Sequence, residues 1–186
     1  MSSEVRFCTA CGHAVEKRVP AGDHLPRHVC PACGHVQYFN PRIITGVIPL
    51  WQERILLCRR AIQPRLGFWT FPAGFLELHE TASAGAAREA REEAAIEVTD
   101  LQLNSVITVP HVSQIYMIHY GQMRSAEHRP TAESSETHLV DEAKIPWDEI
   151  AFPTIFSGLK RFLADRAAGQ FSVHSLDLHW PTKKSG

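Results

Sequence analysis

Residues 74–96 read Gly74-Phe-Leu-Glu-Leu-His-Glu80-Thr-Ala-Ser-Ala-Gly-Ala-Ala-Arg88-Glu89-Ala-Arg-Glu92-Glu93-Ala-Ala-Ile96. From Thr81 onward the stretch is dense in Ala, Glu and Arg, which are strong helix formers. It therefore predicts a helix from Thr81 to about Ala94, with Thr81 as its cap. Successive residues of a helix turn by roughly 100°, so Glu89, Glu92 and Glu93 fall within an arc of about 100° on one face.

Three carboxylates on one helix face repel one another unless a cation lies between them. Carboxylate oxygens suit Mg²⁺ or Mn²⁺ better than zinc. Arg88 precedes Glu92 by four residues and can hold that carboxylate in place. The alternative is a solvated helix face with Arg/Glu pairs, and the fixed spacings of Gly74 and Glu80 ahead of the helix argue against it.

The pattern Gly74-x5-Glu80-x7-Arg88-Glu89-Ala90-x-Glu92-Glu93-x-Ala95-Ile96 resembles the Nudix box. Two positions depart from the family pattern. Ala95 replaces a glycine at the predicted helix end, where glycine usually supplies a left-handed cap, and Ala90 is a small version of an aliphatic position. Neither departure removes a metal ligand. The resemblance covers roughly residues 41–170, including the approach to the box over residues 69–74.

The resemblance implies an α/β fold, the Nudix α/β/α sandwich, and hydrolysis of a nucleoside diphosphate linked to another moiety. Water would attack a phosphorus atom of the diphosphate with the help of Mg²⁺ or Mn²⁺. The metal ligands implied are Glu89, Glu92 and Glu93, with the carbonyl of Gly74. The implied supporting residues are Glu80 and Arg88, with a further carboxylate outside the box, for which Glu136 is the first candidate and Glu133 its rival.

Four of the five cysteines form two Cys-x2-Cys pairs, Cys8 with Cys11 and Cys30 with Cys33, eighteen residues apart. This spacing fits a structural Zn²⁺ site, because four thiolates leave the metal no open position. Two disulfides are the alternative, and the lack of a secretory signal disfavours them. The pattern resembles a zinc ribbon. We expect a ribbon over residues 1–39 and a Nudix domain over residues 40–180.

A zinc ribbon ahead of a Nudix domain resembles the NADH pyrophosphatase group, which carries Ser-Gln-Pro-Trp-Pro-Phe-Pro after the box. Here that place reads Val112-Ser113-Gln114-Ile115-Tyr116-Met117, without the Pro/Trp/Phe part. The chain looks more like the zinc-ribbon Nudix proteins assigned to ADP-ribose or FAD, so this resemblance implies one of these substrates, with NADH as the alternative. The residues predicted to bind substrate are Arg59, Phe68, Trp69 and Tyr116, although each aromatic one could equally be a core residue.

The formal net charge of −1 gives no overall electrostatic attraction to nucleic acid or to an anionic membrane. No apolar run is long enough to predict a membrane-spanning helix. The partner is expected to be a small dinucleotide or nucleotide-sugar substrate, and the resemblance allows a homodimer. The first residues lack the apolar core of a secretory signal, so a cytoplasmic location is expected. A ligand-sensing regulator without catalysis and an RNA-processing enzyme are the competing hypotheses.

The remaining elements are predicted from local patterns. Residues 43–50 and 54–59 form a hairpin around a turn at residues 52–53, and the fifth cysteine, Cys58, lies in its second strand as a buried, inert thiol. Further strands are expected at 68–71, 101–109, 112–120 and 137–140, with a polar loop at 124–136. A second helix runs over 155–168 and ends at Gly169. Residues 171–178 are expected to form a final edge strand.

Overall fold

The computed structural model describes residues 5–179 and divides into two compact units, one ending at Pro41 and one beginning at Arg42. The first unit holds an antiparallel sheet of three short strands, β1 (Glu16–Arg18), β2 (Arg27–Val29) and β3 (Val36–Gln37). Two of its cysteines, Cys8 and Cys30, are buried, whereas Cys11 and Cys33 are exposed.

A mixed sheet forms the second unit. Its strands are β4 (Arg42–Trp51), β5 (Arg54–Arg60), β6 (Trp69–Thr70), β7 (Ala73–Phe75), β8 (Val98–Val109), β9 (Gln114–Met123), β10 (Ser134–Val140) and β11 (His174–Asp177). The main order is β10-β5-β4-β9-β8-β11, with β6 on β5 and β7 on β4. The pairs β4–β9 and β8–β11 are parallel, and the other pairs are antiparallel.

Two α-helices accompany this sheet, α1 (Ala82–Ala94) and α2 (Pro153–Ala168). Single 3₁₀ turns lie at Pro110–Val112, Glu142–Lys144 and Trp147–Glu149. None of the helices in residues 5–179 is both long and apolar enough to cross a membrane.

The helices cover opposite faces of the sheet, because successive side chains of a strand point to opposite sides. On β5, Ile55 and Leu57 belong to the apolar cluster that includes Leu159 of α2, whereas Leu56 and Cys58 belong to the cluster that includes Ala90 of α1. This alternation produces an α/β/α sandwich, which confirms the predicted fold class. Cys58 is fully buried, as predicted, and burial raises the pKa of its thiol.

Helix α1 forms where the sequence predicts it. The hydroxyl of Thr81 accepts a hydrogen bond from the backbone N–H of Ala84 at 3.1 Å, which satisfies one of the free donors of the first turn. Ala86, Ala90 and Ala94 are fully buried. Their small side chains allow the helix to approach the sheet closely, and this approach turns the glutamate face along the edge of the sheet toward β7.

The structure corrects several element boundaries, including the start of β8 at Val98 and the bounds of β9 at Gln114 and Met123. The predicted loop 124–136 is wrong at its end, because Ser134 to Glu136 already belong to β10 and pair with β5. Ser134 is buried although its segment is polar, so composition concealed the strand. Helix α2 starts two residues earlier than predicted, at Pro153, since proline suits the first turn of a helix. The final strand shrinks from 171–178 to His174–Asp177.

Candidate active site

A single arginine ties the loop after β7 to helix α1. The guanidinium of Arg88 donates to the Glu80 carboxylate at 2.8 and 3.2 Å and to the carbonyl of Phe75 at 3.0 Å. It also donates to Glu89 at 2.7 Å and to Glu92 at 2.9 Å. The hydrogen bonds from Arg88 lower the pKa of Glu80. Arg88 thus fixes the loop and two box carboxylates relative to one another.

Two box glutamates, Glu89 and Glu93, are buried, with 7% and 4% of their surface exposed. Burial raises the pKa of both carboxyl groups, and that of Glu93 reaches about 8, with the charge of Glu89 as a further cause. Glu92 differs, because its side chain is half-exposed and paired with Arg88. The box therefore presents two buried acids and one exposed acid at the same helix face.

The buried pair fits a divalent cation. Glu93 Oε2 is buried and has no hydrogen-bond partner among the described residues. Gly74 lies directly against Glu89, since a Cβ at this position would come within 2.3 Å of the Glu89 carboxylate. An unpartnered buried carboxylate oxygen is costly unless a cation or a proton compensates it. The donor set consists of hard oxygens, as Mg²⁺ and Mn²⁺ prefer.

A cavity of about 770 Å³ opens beside the box, and Gly74 forms part of its wall. This volume lies within the range of pockets that hold nucleotide-sized ligands. Its apolar walls come from β4, β8, β9 and the start of α2, and its polar atoms come from arginine, histidine and glutamine side chains. The residues that line the cavity include Arg60, Arg65, Phe75, Val112, Gln114, Tyr116 and Phe152.

The four residues predicted to bind substrate have different surroundings. Tyr116 lines the cavity. Trp69 is a core residue with 8% exposure, and Phe68 carries the guanidinium of Arg65 over its ring, with 4.3 Å from guanidinium carbon to ring centroid. Arg59 pairs with Glu136 at 2.7 Å. Neither Phe68, Trp69 nor Arg59 is among the residues that line the cavity.

The cavity also contains residues that the substrate prediction did not include. Phe75 directly follows Gly74, so the box itself could have indicated it. Phe152 precedes Pro153 at the start of α2, and no local pattern connects it with the box. Arg60 follows Arg59 on β5, and neighbouring side chains of a strand point to opposite faces. Arg60 lines the cavity and Arg59 does not, and this choice depends on the register of the sheet.

The two carboxylates considered as auxiliary groups differ in their surroundings. Glu136 is engaged with Arg59, and its other oxygen lies 3.7 Å from His138 Nε2. Glu133 lies just before β10, and its negative charge raises the pKa of both Glu89 and Glu93. Of the two candidates, Glu133 is therefore the one whose charge acts on the buried pair, as a smaller cause than burial and the neighbouring box glutamates.

The four cysteines of the first unit converge on one point. Their sulfur atoms all lie within 4.8 Å of one another, and three of the Sγ–Sγ distances are 3.7, 3.5 and 3.4 Å. Tetrahedral zinc with Zn–S bonds of about 2.3 Å requires sulfur separations of about 3.8 Å. Gly12 and Gly34 have φ of +75° and +74°, which turns the backbone after each second cysteine.

Two family models match the chain. The model described as Nudix N-terminal, a zinc-ribbon model, matches residues 6–39. The model described as NUDIX domain matches residues 40–165. The second match alone covers more than half of the chain.

Curated relatives at moderate identity are named NAD-capped RNA hydrolase NudC. The protein from Photobacterium profundum is 32% identical over 143 residues, which are 75% of this chain and 51% of the relative. The protein from Pseudomonas aeruginosa strain LESB58 is 38% identical over 101 residues, 52% of this chain and 33% of the relative. The chain therefore spans about half or less of the length of these relatives.

Solved structures with this fold include a NUDIX hydrolase from Nitrosomonas europaea, which is 44% identical with a TM-score of 0.90. The match covers 94% of this chain and 99% of the Nitrosomonas europaea chain. An ADP-ribose pyrophosphatase from Streptococcus suis is 15% identical with a TM-score of 0.58, over 75% and 100% of the two chains, and this likeness shows the fold alone. Sequence pattern, fold and family models agree: the chain belongs to the Nudix family and carries that family's N-terminal zinc ribbon.

Proposed function

We propose that this chain is a metal-dependent pyrophosphohydrolase that cleaves the diphosphate bond of a nucleoside diphosphate linked to a second moiety. The observation that carries the proposal is the unpartnered, buried Oε2 of Glu93, which shares a helix face with Glu89, the carboxylate that lies against Gly74 of the cavity wall. A regulator without catalysis would have no use for two buried carboxylates that require a cation, so the enzyme is favoured over that alternative.

Mg²⁺ or Mn²⁺ would be held by Glu89, Glu92 and Glu93 with the carbonyl of Gly74. When bound, the metal neutralises phosphate charge and lowers the pKa of water. The side chains of the protein fix the relative positions of these ligands. Arg88 holds the loop and the helix together and orients Glu89 and Glu92, which would be among the residues that hold the metal.

We propose Glu133 ahead of Glu136 as the auxiliary carboxylate that orients water or takes up its proton. The charge of Glu133 acts on both buried glutamates. Glu136 instead stabilises the pairing of β10 with β5 through Arg59, whose guanidinium also lies over the Trp69 ring at 5.8 Å from the centroid. In this proposal Arg59 and Trp69 support the site rather than contact the substrate.

For the substrate we propose a nicotinamide dinucleotide first. The supporting observation is the name of the curated relatives together with the retained Ser113-Gln114 pair, because Gln114 and Tyr116 line the cavity. ADP-ribose and FAD remain the second candidates. They are favoured by the missing Pro/Trp/Phe part of the segment after Gln114, since this departure falls on the cavity wall and changes its shape.

The test is cleavage of NADH, ADP-ribose, FAD and NAD-capped RNA with Mg²⁺ present, measured as kcat/KM. Cleavage of the first three releases AMP, whereas cleavage of the capped RNA releases nicotinamide mononucleotide and leaves the AMP half as the 5′ end of the RNA. We expect Glu93→Gln to lower kcat/KM by about a hundredfold or more, equivalent to about 2.7 kcal/mol of barrier. The variant should also lose the increase in Tm that Mg²⁺ gives the wild type. Glu97→Gln is the matched control, because Glu97 is exposed and paired with Arg124.

Two results would count against the proposal. Turnover retained in Glu93→Gln would reject the metal-ligand role of this residue. Absence of diphosphate cleavage in every substrate by the wild type, despite Mg²⁺ binding, would favour the ligand-sensing regulator instead.

A further inference from the structure

Arg65 lines the cavity together with Gly74, yet it belongs to a loop between β5 and β6 rather than to the box. Its Nε donates to the carbonyl of Ala151 at 2.8 Å, which connects the loop to the segment before α2. Its guanidinium carbon lies 4.3 Å from the centroid of the Phe68 ring. One edge and one face of the guanidinium are thus fixed by the protein, so this cation is held in a defined orientation.

The charge of Arg65 is not neutralised within the described part of the chain. Among residues 5–179, no carboxylate lies within 4.0 Å of a side-chain nitrogen of Arg65. Its backbone has φ of +63°, a left-handed conformation that is rare for a residue with a side chain. A fixed, unpaired guanidinium on a cavity wall is suited to a bidentate contact with an anion.

A second arginine of the cavity, Arg60, has a different position. Its positive charge lowers the pKa of Glu93, so it acts at the buried carboxylate pair. Its Nε donates to the carbonyl of Pro64 at 2.8 Å, and its guanidinium carbon lies 5.2 Å from the centroid of the Phe152 ring. The two arginines therefore line one cavity through different contacts, and Arg65 is the more exposed of the two.

Apolar and aromatic side chains, including Val112, Tyr116 and Phe152, line the same cavity. They suit a base and the uncharged face of a ribose. We propose that Arg65 binds a phosphate on that ribose, so that the site prefers nucleotides with a 2′- or 3′-phosphate over those with free hydroxyls. This inference rests on the proposed function for the orientation of the nucleotide, and it identifies a substrate class with one more phosphate than a plain dinucleotide.

The test is calorimetric binding of three probes to the zinc-loaded full chain with saturating Mg²⁺: AMP, adenosine 2′,5′-bisphosphate and adenosine 3′,5′-bisphosphate. A charge-assisted hydrogen bond predicts that at least one bisphosphate binds the wild type about ten- to a hundredfold more tightly than AMP. The bisphosphate that binds more tightly identifies the ribose position. A preference for the 3′ form fits a ribose that continues into RNA, and one for the 2′ form fits a free dinucleotide phosphate.

Arg65→Met should reduce this preference to about one. Arg65→Lys keeps the charge without the planar fork and should retain a smaller preference. Arg124→Met, at an exposed ion pair, should retain the full wild-type preference. Equal binding of all three probes by the wild type, or a preference that survives Arg65→Met, would overturn the inference. Because binding is measured without turnover, a failure of AMP release from NADH would count against the proposed function alone.

Discussion

Ala95 ends the glutamate helix in a left-handed conformation, with φ of 55° and ψ of 36°. Its backbone N–H donates to the carbonyl of Arg91 at 3.0 Å, and that of Ile96 donates to the carbonyl of Ala90 at 3.3 Å. The geometry is the one that glycine usually provides at a helix end. The protein therefore tolerates a strained residue at the position where the family pattern has glycine.

Ala95→Gly should stabilise the protein. A left-handed residue with a Cβ costs about 1–2 kcal/mol, and glycine loses about 0.5–1 kcal/mol through its greater freedom in the unfolded chain. The net gain is about 0.5–1 kcal/mol, which corresponds to a rise in Tm of about 1–4 °C for a chain of this length.

Thermal unfolding of the metal-loaded protein measures this effect. Ala94→Gly is the control, because Ala94 is helical and fully buried against the sheet, and its loss of packing should lower Tm. A decrease in Tm for Ala95→Gly would show that the left-handed conformation carries no strain.

At the scale of single residues, the box was predictable because its spacing is local. The loop from Gly74 and the helix that carries Glu93 are continuous in sequence, so helix periodicity alone brings the acids together. The cavity wall was not predictable in the same way. Phe152 and Tyr116 reach one cavity only through the pairing of β4 with β9 and the docking of α2.

Among the elements, α2 and β11 are joined by one buried acid. Asp165 accepts a hydrogen bond from the backbone N–H of Ser172 at 3.2 Å, and its carboxylate oxygens lie 2.9 and 3.0 Å from His174 Nε2. Burial acts to raise the pKa of Asp165, but the contacts with His174 and Ser172 outweigh it and lower the pKa. The end of the helix thereby positions the edge strand.

Asp165→Asn should destabilise the protein at neutral pH by about 1 kcal/mol, because a charge-assisted contact is replaced by a weaker one. The lowered pKa gives the sign of the pH dependence. The stabilisation is complete above the unfolded value of about 3.9 and is lost as the pH falls through the lower folded value.

Tm measured from pH 7 down to pH 2 for both proteins checks this expectation. The difference between wild type and variant should persist while Asp165 is ionised and should diminish as the pH falls below about 3.9. A difference that stays constant down to the lowest pH would contradict a contribution from the ionised carboxylate.

Secondary-structure elements differ in how clearly their sequence predicts them. The β4–β5 hairpin and α1 are strongly patterned and were predicted closely. β10 was predicted too short, because its first residues are Ser134, Ser135 and Glu136, which resemble a polar loop. Its pairing with β5 supplies the missing stabilisation, including the Glu136–Arg59 contact across the two strands.

For the whole molecule, the two units differ in what holds each of them together. The unit from Arg42 has two extensive apolar clusters around its sheet. The unit ending at Pro41 has three short strands and few buried apolar side chains, among them Val29. Chains that cannot bury a sufficient core depend on metals or disulfides for stability. Its four cysteines form no disulfide, and their sulfur atoms converge.

Zinc removal should therefore unfold the first unit while the sheet of the second unit persists. Because metal binding supplies the folding free energy of such a unit, chelation should remove amide protection from residues 5–41 first.

The purified protein should contain about one zinc per chain, since four thiolates complete one tetrahedral site. Amide hydrogen exchange is measured before and after treatment with a chelator. Excess Mg²⁺ is then added to the chelated sample to refill the box, so that the remaining loss of protection reports the loss of zinc. Re-addition of zinc should recover the protection. A single transition that unfolds both units together, or a protein that contains no zinc and keeps its protection, would show that the cysteines do not stabilise this unit through a metal.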